Sequence, residues 1–121
     1  NTLKTAHKIS KQYCKINWHR PSHEIKNFIR GLSPYPAAYS ILKSNLSSSE
    51  ISVKIYKAEL GKMISQEAAP GTIFSDDKTY MRVATTSGSL SISEIQVEGK
   101  RRMTIKELLR GFNNMKDYTL L

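Results

Sequence analysis

At 121 residues the chain has the length of one domain, and its 39% apolar content suffices for a core without disulfide or metal support. No apolar run approaches the roughly 20 residues that cross a bilayer, no charged-then-apolar signal layout opens the chain, and the single cysteine, Cys14, excludes an intrachain disulfide framework and suits a reducing cytoplasm. Nineteen Lys and Arg against ten Asp and Glu leave a net charge of +9, a field that draws polyanions: nucleic acid first, an anionic membrane surface second.

The first twenty residues carry five cations (Lys4, Lys8, Lys11, Lys15, Arg20) and no acid. Residues 1–15 read as an interdomain linker or arm, and a chain that opens this way without methionine is expected to be a piece of a longer protein. Pro21 and Ser22 then favour a helix start, with Ser22 as the expected cap. Ile25, Phe28, Ile29 and Leu32 recur at helical spacing, and Gly31 and Pro34 supply the stop, so a helix is predicted over residues 22–31. Ser33-Pro34-Tyr35-Pro36 must be extended or turned, because residues before proline avoid the helical region.

Strand signals dominate the middle. Residues 38–43 read as one strand, and Ile51, Val53 and Ile55 alternate with Ser52, Lys54 and Tyr56 in a second. Ala69-Pro70-Gly71 is a turn, followed by short strands over 72–74 and 80–85 separated by a polar turn at 75–78. Leu90, Ile92, Ile95 and Val97 form the next strand, with a bulge expected where the alternation shifts near Ser93 and Glu94. Residues 98–102 read as a basic turn. Thr104 and Glu107 have capping-box spacing and open a short helix through Leu108, Leu109 and Phe112, which Gly111 weakens. The tail from Asn113 carries no signal. Short strands bounded by turns, with a helix near each end, predict a mainly β fold over residues 16–121, and the oligonucleotide-binding barrel is the nearest common architecture.

Five segments in this order carry a resemblance: Lys8-Ile9-Ser10-Lys11 with Ile16-Asn17-Trp18; Phe28-Ile29-Arg30-Gly31-Leu32-Ser33-Pro34-Tyr35-Pro36; Val53-Lys54-Ile55-Tyr56-Lys57-Ala58; Ala69-Pro70-Gly71-Thr72-Ile73; and Lys100-Arg101-Arg102-Met103 leading into Leu108-Leu109-Arg110-Gly111. Together, over residues 8–112, they resemble the C-terminal domain of bacterial methionyl-tRNA formyltransferases. The resemblance implies a small Greek-key open barrel like the oligonucleotide-binding fold. It also implies a role in protein biosynthesis: a basic face holds initiator methionyl-tRNA while an N-terminal catalytic domain transfers a formyl group from 10-formyltetrahydrofolate. That catalytic domain, with its asparagine, histidine, aspartate and Ser-Leu-Leu-Pro loop, has no counterpart in this sequence. No catalytic residue is therefore carried over, and no cofactor or metal is expected on these residues. The C-terminal domain of a sugar-nucleotide formyltransferase, acting mainly as a packing domain, is the alternative. The Ala-Pro-Gly-Thr-Ile turn and the basic turn before the second helix favour the tRNA enzyme. A monomer in the cytoplasm is the expectation.

Candidate RNA contacts are Lys54, Lys57, Lys62, Arg82, Lys100, Arg101 and Arg102, because phosphate neutralisation needs cations on one surface. Lys54 alternates with Val53 and Ile55 and so points away from the core. A solvated surface is the plain alternative for each lysine. Tyr56, between Lys54 and Lys57, and Tyr80, near Arg82, are candidate platforms for base stacking; packing against the sheet is the plain alternative. Trp18 and Tyr35 read as structural. His19 and His23 lack the further ligands of a metal site, and Cys14 has no ordered base partner, so neither suggests catalysis.

Overall fold

Alternation builds the barrel. The computed structural model describes residues 14–47, 49–61, 68–112 and 114–121. In β1 (Ala38–Ser44) every second side chain is buried, and in β2 (Glu50–Leu60) Val53, Ile55 and Ala58 turn inward. The chain continues through β3 (Ile73–Ser75), β4 (Met81–Ala84), β5 (Ser89–Val97), β6 (Arg102–Thr104) and β7 (Tyr118–Leu120). The named strands pair antiparallel in the order β3-β4-β5-β2-β1-β7, and β6 lies off this path, paired with β5. A bridge between Thr72 and Thr119 joins the two ends of this path, so the sheet is a nearly closed barrel. With α1 (Ser22–Leu32) and α2 (Ile105–Gly111), the expected mainly β open barrel with a helix near each end holds.

The expected bulge is present, and it is shared between strands. Ile55 faces Ile95, Lys57 faces Glu94 and Ala58 faces Ile92, so Tyr56 is extra on β2 and Ser93 is extra on β5. The bulge lets Tyr56 and Lys57 both avoid the interior while Ile55 and Ala58 stay buried.

The core gathers Leu42, Ile55, Met81, Leu90, Ile95 and Leu120 from the strands, with Ile25 and Ile29 from α1 and Leu108 and Leu109 from α2. Trp18 anchors the segment before α1, as expected. Its indole N–H donates to Ser40 Oγ at 2.9 Å, and the Ser40 hydroxyl donates to the Leu121 carbonyl at 2.7 Å. Thr104 and Glu107 form the anticipated capping box. The Glu107 amide donates to Thr104 Oγ1 at 3.3 Å, and Glu107 Oε1 accepts from the Thr104 amide at 3.1 Å.

Several expectations are corrected. Pro21, not Ser22, occupies the N-cap of α1. Ser22 is one position further in and buried, and its hydroxyl is held by Thr85 Oγ1 at 2.6 Å and the Ser87 carbonyl at 3.0 Å. Gly31 does not end the helix, which runs through Leu32. Tyr35 does not pack into the fold, since it is 80% exposed. Arg102, read as part of a turn, begins a strand. The tail also has structure, a 3-10 turn over Met115–Asp117 and then β7. Lys62 and all of the expected linker except Cys14 and Lys15 lie outside the described residues.

Candidate nucleic-acid interface

Register sets the outer face of β2, β5 and β6. Tyr39 faces Lys54, Lys54 faces Gln96, and Gln96 faces Arg102, which makes one row across four strands. The neighbouring row holds Lys57, Glu94 and Thr104. Glu94 receives Lys57 at 3.3 Å and Arg102 at 2.6 Å, so its carboxylate binds both rows together. The Arg102 hydrogen bond holds the Glu94 carboxyl below its ordinary range, with help from Lys57 and against partial burial.

The Arg102 guanidinium lies over the Tyr56 ring, 4.2 Å from its centroid. The Tyr56 hydroxyl donates to Gln96 Oε1 at 2.7 Å, and Gln96 Nε2 donates to the Lys100 carbonyl at 2.7 Å. The result is an ordered array of a cation, a ring, an amide and a turn. Arg82 repeats the motif on a smaller scale, with its guanidinium 4.5 Å from the Tyr80 centroid. It faces Ser91 on β5, five residues from Gln96, which places it roughly 15 Å along the strand from Arg102.

The predicted cations therefore fall into two groups. Lys57 and Arg102 share Glu94, and Arg101 pairs with Glu107 at 3.0 Å. The Thr104 amide and then Arg101 hold the Glu107 carboxyl down. Among the described residues, Lys54, Arg82 and Lys100 have no acidic partner within ion-pair distance. Tyr56 and Tyr80 each carry an arginine over the ring, so the surface offers guanidinium planes where bare rings were expected. Such planes also stack on bases.

One feature of the surface escaped the sequence reading. A groove of about 570 Å³ opens between the turn at residues 33–36 and the turn at residues 98–100. Tyr35, Tyr39, Lys54, Gln96, Glu98 and Gly99 line it. The available signal was Tyr35 itself, an aromatic in a proline-fixed turn that belongs to no buried periodicity. Cys14 also borders the groove, but burial pushes its thiol pKa up, opposed by the nearby Lys54 charge, so a reactive thiolate is disfavoured. Among the described residues no group of three His, Cys, Asp or Glu is placed to hold a metal, and no helix is long and apolar enough to cross a membrane.

Comparison with known proteins agrees with the resemblance seen in the sequence. A family described as "Formyl transferase, C-terminal domain" matches residues 8–113. The chain is 42% identical over 111 residues to a protein named methionyl-tRNA formyltransferase from Bacteroides fragilis, covering 92% of this chain and 34% of that protein. Its namesake from Parabacteroides distasonis is 41% identical over 119 residues, covering 98% of this chain and 36% of that protein. The Clostridium tetani protein of that name is 37% identical over 106 residues, covering 88% and 32%. The chain thus spans about a third of the length of the curated relatives it matches.

Proposed function

We propose, from the premise that this chain belongs to the formyl transferase C-terminal-domain family, that it is the tRNA-gripping domain of a methionyl-tRNA formyltransferase. In this reading it binds initiator methionyl-tRNA through phosphate contacts and holds the acceptor end for an N-terminal domain of the full-length protein. Formyl transfer from 10-formyltetrahydrofolate belongs to that other domain, in the cytoplasm, and the protein works as a monomer. The domain contributes position alone: a fixed acceptor end turns a bimolecular encounter into an oriented one.

The observation that supports this reading is the array on β2, β5 and β6. Lys54 and Lys100 offer exposed charge with no acidic partner among the described residues, and Arg102 offers a guanidinium oriented by Glu94 and Tyr56. Phosphate contacts of this kind fix register without reading sequence. A packing domain of a sugar-nucleotide enzyme needs an apolar docking face, and this face carries cations in its place.

The test is a titration with labelled initiator tRNA over a salt series, with a sugar nucleotide as comparison ligand. Log affinity is expected to fall steeply with log salt. Replacing Lys54 and Lys100 with alanine together should flatten that slope by about 1.5, near the value for two lost phosphate contacts. Absence of tRNA binding at low salt would falsify the reading, and binding of the sugar nucleotide in its stead would support the packing alternative.

A further inference from the structure

The groove beside Tyr35 is contiguous with the cationic array. Lys54 belongs to both: it lines the groove, and it stands in the strand row that runs through Gln96 to Arg102. Gln96 also belongs to both, since its amide is clamped between the Tyr56 hydroxyl and the Lys100 carbonyl while its side lines the groove. A polyanion laid along the array therefore passes the groove mouth.

The groove has the parts that hold a nucleobase. Its volume of about 570 Å³ falls within the range of roughly 300–1,000 Å³ typical of small-molecule sites. At one wall Tyr35 is 80% exposed. This leaves ring surface open to a ligand, unlike Tyr56 and Tyr80, whose rings carry arginines. The flanking prolines limit the backbone freedom that binding would otherwise remove. Lys54 supplies a cation for the phosphate. Glu98 is exposed on the opposite turn and repels phosphate, while its carboxylate accepts hydrogen bonds from the amino groups of a base. Ring, cation and acceptor together match a nucleotide better than an apolar peptide or a lipid.

We infer that this groove is a subsite for one unpaired nucleotide of the bound RNA, whose base stacks on Tyr35, whose phosphate meets Lys54 and whose edge faces Glu98. The inference rests on the tRNA-gripping reading and adds to it a contact that distinguishes unpaired from paired RNA. A base inside a duplex is stacked on its neighbours and cannot enter the groove, whereas an unpaired base can leave the strand and do so.

The experiment compares two labelled RNAs of equal charge on this chain: a single-stranded octamer carrying one 2-aminopurine, and a blunt hairpin whose two strands are joined by a non-nucleotide ethylene-glycol linker, so that it holds no unpaired base. Tyr35→Ala is expected to weaken octamer binding about ten-fold and to leave hairpin binding unchanged. Tyr35→Phe, which keeps the ring, should restore the octamer affinity. The fluorescence of 2-aminopurine, quenched on stacking, should be quenched by the wild type and by Tyr35→Phe and recover with Tyr35→Ala. Because Tyr35 is exposed, the melting temperature should not change, which separates lost contact from lost fold. If Tyr35→Ala alters neither RNA, or both equally, the subsite is overturned while the cationic array stands. If the wild type binds neither RNA at low salt, the array and the subsite fall together.

Discussion

The seam of the barrel and its outer face use similar groups to opposite ends. At the seam, where β7 meets β1 and the approach to β3, polar groups turn inward and are satisfied. The Leu120 amide donates to the Gly71 carbonyl at 2.9 Å, the Leu121 amide donates to the Ile41 carbonyl at 2.9 Å, and Trp18 and Ser40 tie the last carbonyl down. On the face of β2, β5 and β6 one carboxylate, Glu94, serves two cations, and Lys54 beside it has no acid among the described residues. Seam contacts hold the fold because burial makes an unpaired polar group costly. Face contacts leave charge in water, where it adds little to stability and remains available to a polyanion. Stability and binding should therefore respond to different substitutions.

The largest effect is expected at Trp18. Its side chain is 2% exposed, and Trp18→Ala would empty a large core volume and leave Ser40 without its donor. A loss of about 4 kcal/mol is expected in urea unfolding, and the salt slope of tRNA binding should be unchanged in the fraction that stays folded. A loss under about 1 kcal/mol would mean that the seam closes without its anchor. Gly71→Ala comes next. Gly71 has φ +95, and a Cβ there would collide with the Leu120 carbonyl oxygen, which is backbone and has little room to yield. Strain and collision together should cost about 3 kcal/mol, again without altering the salt slope. A change in slope in either variant would show that seam and face are coupled.

The two regions also differ in how far they could be read from the sequence. Alternation marks β1, β2 and β5, because half-buried strands repeat every second residue. The break in that pattern located the bulge on β5, and the Thr104–Glu107 spacing located α2. β7 was not legible: Tyr118, Thr119 and Leu120 have no period long enough to detect, and they form a strand because β1 and Thr72 offer them partners. β6 failed for the same reason, with three residues held by β5. On the candidate face, charge and chain position nominated Lys54, Lys57, Arg102 and Tyr56, while the arrangement among them stayed hidden. Arg102 and Glu94 are eight residues apart and meet because the β5–β6 register sets them side by side. Lys57 joins them because a bulge turns it outward. Tyr35 was misread because proline neighbours suggest a structural role without saying which way the ring points.

Glu94 gives the smallest expected effect and the sharpest test of the comparison. Its folded pKa is depressed, chiefly by the Arg102 hydrogen bond, so its contribution to stability is fully present above the unfolded carboxylate value of about 4.3. That contribution is lost as the pH falls through the depressed folded value. Glu94→Gln should remove this part of the acid transition in a pH series of urea unfolding. At pH 7 it should cost less than about 1 kcal/mol, because the pair is solvent-screened. The same substitution removes a negative charge beside Lys57 and Arg102. If the face acts by net charge, tRNA binding should tighten at low salt and its salt slope should steepen by about 1, as a cation released from Glu94 becomes free to meet a phosphate. If binding weakens, Glu94 matters more as the group that holds Arg102 over Tyr56 than as a charge to be overcome. The face would then resemble the seam after all, a region in which fixed geometry outweighs available charge.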